Sequence, residues 1–126
     1  MGEEKEQETP AVLIYRVSTE AEWNELQQTG STLGGDLDKQ TGCIHLSTDS
    51  QVKGVLEIFF SGRRDLYLLK LEAAKLGEGL IYESADGLNF FPHFYGPSGS
   101  FTPLTVDPII EVSKLELVDG NFVLPF

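Results

Sequence analysis

The sequence is poor in the residues that most often reveal chemistry. In 126 residues there are one cysteine (Cys43), one methionine, one tryptophan and two histidines. A lone cysteine closes no internal disulfide, and two histidines with one cysteine are too few for a structural zinc set and match no zinc spacing, so no metal site is expected. Basic residues are scarce: 9 Lys and Arg stand against 20 Asp and Glu, for a net charge of −11. That surplus repels a phosphate backbone over most of the surface and argues against general nucleic-acid binding. No stretch approaches the roughly 18 apolar residues of a membrane helix, and the amino terminus lacks the basic start and apolar run of a signal peptide. The expectation is a soluble, cytoplasmic protein in a reducing compartment. Also absent are Gly-x-Gly-x-x-Gly, a phosphate-loop glycine motif and Gly-x-Ser-x-Gly, which disfavours dinucleotide folds, phosphate-loop enzymes and hydrolase elbows.

What is present suffices for a core. Apolar residues make up 40%, with 8 Phe and 4 Tyr, in a chain of the commonest domain length, about 100 to 150 residues. Such a chain buries roughly two thirds of its unfolded surface without a metal or disulfide. Residues 1–10 are acidic and end in Pro10, so they read as a disordered tail; 11–126 read as a single α+β domain.

Ile14-Tyr15-Arg16-Val17 is β-branched and aromatic enough for a strand, and Thr19 with Glu22 has the spacing of a capping box. The helix that follows should run to about Gln28, with Trp23 and Leu26 on one face and Gly30 just past its end. From Gly30 to Gly42 the small and polar residues read as one long loop. Cys43 to Leu46 reads as a short strand, and Thr48 with Gln51 opens a second helix carrying Val52, Val55, Leu56 and Phe59 at helical spacing. Leu66 to Leu71 is apolar on both alternating sets, the pattern of a mid-sheet strand. A turn from Ala73 to Gly77 and a strand from Leu80 to Glu83 follow. Asp86-Gly87 then signals a hairpin into Leu88 to Phe91. Thr105 to Val118 is extended, interrupted by Pro108, and Asp119-Gly120 can turn it into Phe122 to Leu124. Two good helices and about six strands, hairpin-linked toward the carboxyl end, predict α+β with two small, mostly antiparallel sheets.

Three segments could carry chemistry. In Gly42-Cys43-Ile44-His45-Leu46-Ser47-Thr48, alternation puts Cys43, His45 and Ser47 on one face, beside a helix amino terminus whose free N–H groups suit an anion. The alternative is that Ser47 and Thr48 only cap the helix while His45 bonds to a loop. Cys43 and His45 make a poor catalytic pair by themselves, because no third group is there to orient the histidine. Glu83, at a strand end, is either simply solvated or the acid, base or acceptor of a cleft. In Phe90-Phe91-Pro92-His93-Phe94-Tyr95-Gly96-Pro97, the side chains of Phe91, His93 and Tyr95 share one side. They form either core or the aromatic wall of a pocket for a planar ligand. The prolines and Gly96 favour an irregular, bent segment there. Arg63 and Arg64, after a helix end, read as structural.

Taken in order, Ile14-Tyr15-Arg16-Val17, Glu22-Trp23, Ile44-His45-Leu46-Ser47-Thr48, Tyr82-Glu83 and Pro92-His93-Phe94-Tyr95-Gly96-Pro97 resemble the domain of unknown function 952 family, over about Leu13 to Ile110. That family is grouped with the ADP-ribosyltransferase-like fold, in which two small sheets clasp NAD. The resemblance implies a triad of Arg16, Ser47 with Thr48, and Glu83, the glutamate supporting an oxocarbenium-like state as nicotinamide leaves. His45 and His93, prominent in the family signature, have no place in that triad. The resulting expectation is an enzyme that binds NAD, an ADP-ribose derivative or another phosphorylated nucleotide. His45, Glu83 and His93 would be catalytic, and Arg16, Ser47, Thr48, Phe91 and Tyr95 would bind the ligand. The competing expectation is a non-catalytic module recognising a protein or metabolite through the same aromatic groove.

Overall fold

The computed structural model describes residues 12–126; the acidic tail expected for 1–10 lies outside them. Strand β1 (Leu13–Thr19) pairs antiparallel with β4 (Leu66–Glu72), which pairs on its other edge with β8 (Ile109–Lys114), so the doubly apolar strand is central as its pattern predicted. Both faces of this sheet are covered. On one, Ile14, Leu69 and Leu71 pack with Leu26 of helix α1 (Glu20–Thr29). On the other, Tyr15, Val17, Leu66 and Leu68 pack with Val52 and Leu56 of α3 (Asp49–Phe59). Burying a Leu or Val side chain contributes about 1.5–3 kcal/mol, so these two layers dominate the stability.

A second three-stranded sheet is built from β3 (Ile44–His45), β6 (Phe91–Phe94) and β5 (Leu80–Glu83), in that order. Ile44, Leu46 and Phe94 face the first core layer. One bridge ties the two sheets: Tyr15 and Ser47 exchange backbone hydrogen bonds of 2.7 and 2.8 Å. The architecture is α+β with antiparallel pairing throughout, but the expectation of two sheets was too simple. Two further ribbons are present, β2 (Ser31–Thr32) with β7 (Leu104–Thr105), and β9 (Glu116–Val118) with β10 (Asn121–Val123). The last is the hairpin that Asp119-Gly120 signalled, both residues having positive φ.

Three local expectations need correction. Residues 30–42 are not one long loop: they contain β2 and a short helix, α2 (Asp36–Thr41). Its lone large apolar residue, Leu37, is exposed, so no amphipathic pattern marked it. The hairpin after β5 has a longer connection than Asp86-Gly87 suggested, because β6 begins at Phe91 rather than Leu88. Finally, Phe91–Phe94 is a regular central strand rather than a bent segment, with Pro92 inside it. The carbonyl of Pro92 accepts from Leu46 N–H at 3.0 Å, so the side of Pro92 that lacks a donor faces the end of the two-residue β3. The one ladder bond Pro92 forgoes, the return bond to Leu46, therefore falls where β3 ends. Past β6, Tyr95 N–H donates to Gly79 O at 2.8 Å; a side chain on Gly79 would overlap the backbone of Gly96. Among the described residues no helix is long and apolar enough to cross a membrane.

Candidate functional site

Arg16 is the one charged residue of β1, and at 7% exposure it needs acidic partners inside the protein. It has two. Its Nε and one Nη donate to Glu22 at 2.8 and 2.6 Å, and both Nη atoms donate to Asp38 at 3.0 and 2.8 Å. The remaining donor reaches His45 O at 2.9 Å. All five N–H donors of the guanidinium are thereby engaged. Burial by itself would lower the affinity of Arg16 for its proton, but the hydrogen bonds and charge of Glu22, then of Asp38, raise it further above its ordinary range. Thr19 does cap α1, accepting from Glu22 N–H at 3.2 Å; the Glu22 carboxylate, however, serves Arg16 instead of closing the capping box.

Asp38 is the junction of this network. It is 4% exposed and accepts from Arg16, from Gly35 N–H at 2.7 Å, from His45 N–H at 2.8 Å and from His45 Nδ1 at 2.8 Å. Burial would push its carboxyl up, yet the His45 hydrogen bond and the Arg16 charge outweigh burial and hold it well below the usual carboxylate range. Gly34, at φ +81°, lets the chain pass close by, where a side chain would overlap the Asp38 carboxylate. A carboxylate accepts only, so His45 Nδ1 carries the proton. Its Nε2 then faces Thr41 Oγ1 at 3.4 Å and the buried Cys43 Sγ at 3.9 Å. The orienting group that the Cys43 and His45 spacing did not supply is therefore Asp38.

A second dyad comes from the β5–β6 hairpin. Glu83 Oε1 accepts from His93 Nδ1 and from Tyr95 Oη, both at 2.6 Å. The Tyr95 hydrogen bond, followed by that of His93, lowers the Glu83 carboxyl below its ordinary value, and the Glu83 contact raises the Tyr95 phenol above its own. Pairing of His45 with His93 across β3 and β6 sets the two imidazoles edge to face, with ring centroids 4.9 Å apart. Two histidines are thus held side by side, each by a different carboxylate.

Both rings line a cavity of about 900 Å³. Its polar lining includes Arg16, Asp38, His45, Ser47 and His93, and its apolar lining Leu37, Val55, Phe59, Phe60 and Phe91. Lys39 and Arg63 stand on its wall, and Arg63, read from sequence as structural, pairs with Asp65. Of the eight site residues expected from sequence, Arg16, His45, Ser47, Phe91 and His93 line the cavity. Glu83 and Tyr95 stand behind His93, and Thr48 caps α3, its N–H donating to Gln51 Oε1 at 2.9 Å. Glu22 and Asp38 were missed. The available signal was Arg16 itself, since a cation on a buried strand requires buried carboxylates. Among the described residues no group of three or more His, Cys, Asp or Glu is arranged to hold a metal ion.

Residues 17–112 match the family described as protein of unknown function, DUF952. Among solved structures, the crystal structure of protein CC0527 from Caulobacter crescentus is 35% identical, with a TM-score of 0.78 over 88% of this chain and 93% of that one. The solution structure of the same protein is 33% identical, with a TM-score of 0.73 over 88% and 90%. No functionally curated protein matches. Over most of its length, then, including both histidine dyads and the strands that pair them, this chain is a member of the DUF952 family.

Proposed function

We propose that the cavity is the active site of an enzyme acting on a phosphorylated nucleotide, NAD and ADP-ribose derivatives included, with His45 and His93 as its acid–base pair. The observation that carries this reading is the juxtaposition of two imidazoles 4.9 Å apart, each with Nδ1 engaged by a separate carboxylate. Imidazole is the side chain that ordinarily titrates near neutrality, and a fixed Nδ1–H leaves Nε2 as the working atom. One neutral ring can take a proton from an attacking hydroxyl or water while the other, protonated, gives one to a leaving oxygen. Phe91 and Phe59 are aromatic residues in the lining against which a planar base could stack, and a cavity of this size is ample for a nucleotide.

The triad implied by the ADP-ribosyltransferase-like resemblance, Arg16 with Ser47, Thr48 and Glu83, fits less directly. Arg16 has no donor to spare, and Glu83 already holds His93 and Tyr95. In this proposal both act by positioning the histidines. The second reading, a non-catalytic recognition module, draws on Phe59, which is 63% exposed at the cavity wall.

Thermal unfolding with NAD, ADP-ribose and nucleoside phosphates tests the proposal. A ligand at about 100 times its dissociation constant stabilises by roughly 2.7 kcal/mol, a shift of several degrees. A shift abolished in His93→Ala, with turnover lost in His45→Ala, supports the enzyme. Binding without turnover in the unmodified protein supports the module, and no shift with any nucleotide rejects the proposed ligand class.

A further inference from the structure

Two arginines line the cavity, and they are used to different extents. Arg16 is complete: its Nε and Nη2 edge holds Glu22, its Nη1 and Nη2 edge holds Asp38, and the last donor goes to His45 O. Arg63, in the connection from α3 to β4, has the first edge filled in the same way, with Nε and Nη2 donating to Asp65 at 2.9 and 2.5 Å. Its second edge, formed by Nη1 and the other Nη2 hydrogen, has no acceptor among the described residues, so three of its five donors remain.

The open edge faces the interior. Arg63 lines the cavity whereas Asp65 does not, so the carboxylate holds the guanidinium from behind the lining and turns the unused donors away from itself. The tether is anchored in turn: Asp65 O accepts from Glu20 N–H of α1 at 2.7 Å, and Arg63 N–H donates to Phe60 O at 3.1 Å. A guanidinium fixed on one edge and open on the other presents parallel donors that match two oxygens of one oxyanion, and ordering it in advance lowers the entropic cost of binding.

Lys39 is a second cation in the lining. It stands on α2 beside the clamped Asp38, and its ammonium has no partner among the described residues. Glu25 and Asp36 share the lining, but neither lies within ion-pair distance of Lys39 or Arg63; Glu25 instead accepts from Thr32 Oγ1 at 2.6 Å. An ammonium supplies a point charge without a fork, so Lys39 is the less directional of the two. Ser47 shows independently that the cavity suits a polar ligand: it is 4% exposed, it lines the cavity, and its hydroxyl has no partner among the described residues. A buried hydroxyl left unpaired is unfavourable, and a polar ligand removes that penalty.

Resting on the nucleotide reading above, we infer that Arg63 is the phosphate anchor of this cavity, its open edge making a forked contact with a nucleotide phosphate, and that Lys39 adds a second, weaker contact. The phosphate takes the place on Arg63 that Asp38 takes on Arg16. Recognition of the phosphate then belongs to side chains outside both histidine dyads.

Calorimetric titration of the full chain with adenosine, adenosine monophosphate and ADP-ribose tests this. The Arg63–Asp65 pair is exposed, and such pairs add little to stability, so Arg63→Gln and Arg63→Lys should both fold. The monophosphate should bind the unmodified protein at least about tenfold tighter than adenosine. In Arg63→Gln adenosine should bind as before, the monophosphate preference should vanish, and ADP-ribose should weaken at least about tenfold. Arg63→Lys, which keeps the charge and loses the fork, should also lose most of the preference, and Lys39→Gln should lose less of it than Arg63→Gln. Equal binding of adenosine and its monophosphate, a preference retained in Arg63→Gln or Arg63→Lys, an adenosine affinity that falls together with it, or a larger loss in Lys39→Gln overturns this inference and leaves the nucleotide site standing. Failure of all three ligands to bind overturns both.

Discussion

His45 and His93 face each other across neighbouring strands of one small sheet, paired in register, with their rings edge to face at 4.9 Å. Neither ring rests on the other alone: Asp38 holds the first through Nδ1 at 2.8 Å and Glu83 the second at 2.6 Å. The pair is therefore fixed in position and in tautomer by two independent supports, one from a helix and one from a hairpin.

That arrangement predicts the tautomer directly. Near pH 8, nitrogen-resolved NMR of the imidazoles should find both histidines protonated on Nδ1 rather than on Nε2, the form that usually predominates in free histidine. Asp38→Ala should release only the His45 signal and Glu83→Ala only that of His93. Two Nε2–H patterns in the unmodified protein would contradict the dyads.

Removing Arg16 should be costly. Arg16→Met leaves Glu22 and Asp38 as two buried carboxylates without their cation, and breaking a buried pair in this way costs about 3–5 kcal/mol. Arg16→Lys should also destabilise, because an ammonium cannot form two forked pairs at once. Urea unfolding monitored by Trp23 fluorescence measures both, and a loss under about 1 kcal/mol for Arg16→Met would contradict the network.

Acid should unfold the protein partly through Asp38. Its carboxyl is held low in the folded state, so its stabilisation is complete above the ordinary carboxylate range, near about 4, and is lost as pH falls toward the lower folded value. Glu83 acts in the same direction. The melting temperature should drop between about pH 5 and pH 2, and the drop should be shallower in Asp38→Asn, although that variant starts lower. Parallel profiles would assign acid unfolding to other groups.

Tyr95 gives an alkaline counterpart. The Glu83 hydrogen bond raises its phenol above the usual value, so its stabilising contact is complete below about pH 10 and is lost as pH climbs through the raised value. In a phenolate absorbance titration, one of the 4 tyrosines should ionise after the others. Tyr95→Phe should remove that last step.

The elements legible in the sequence were those whose signal is local. The doubly apolar Leu66 to Leu71 run, the spacing of Val52, Val55, Leu56 and Phe59, and the Asp119-Gly120 turn each reflect a few neighbouring residues, and each was placed correctly. Strand alternation also put Phe91, His93 and Tyr95 on one side, and it is through that side that His93 and Tyr95 both reach Glu83. Helix α2 escaped because what holds it is distant: Asp38 is clamped by Arg16 from β1 and by His45 from β3, and neither contact leaves a periodic trace. Pro92 misled for a similar reason, since its missing donor faces the end of a strand only two residues long.

By itself, the sequence determined the α+β class, the acidic charge, the family and the identity of the two histidines, because composition, short-range periodicity and motif order suffice for these. Tertiary structure decided what those residues do to one another. It spent the donors of Arg16 on Glu22, Asp38 and the His45 carbonyl, gave His45 a carboxylate from an unpredicted helix, and set Glu83, at the end of its strand, against His93. The physical reason is that a hydrogen bond between side chains depends on a few ångströms of separation across packed elements, and that distance is set only when both core layers close.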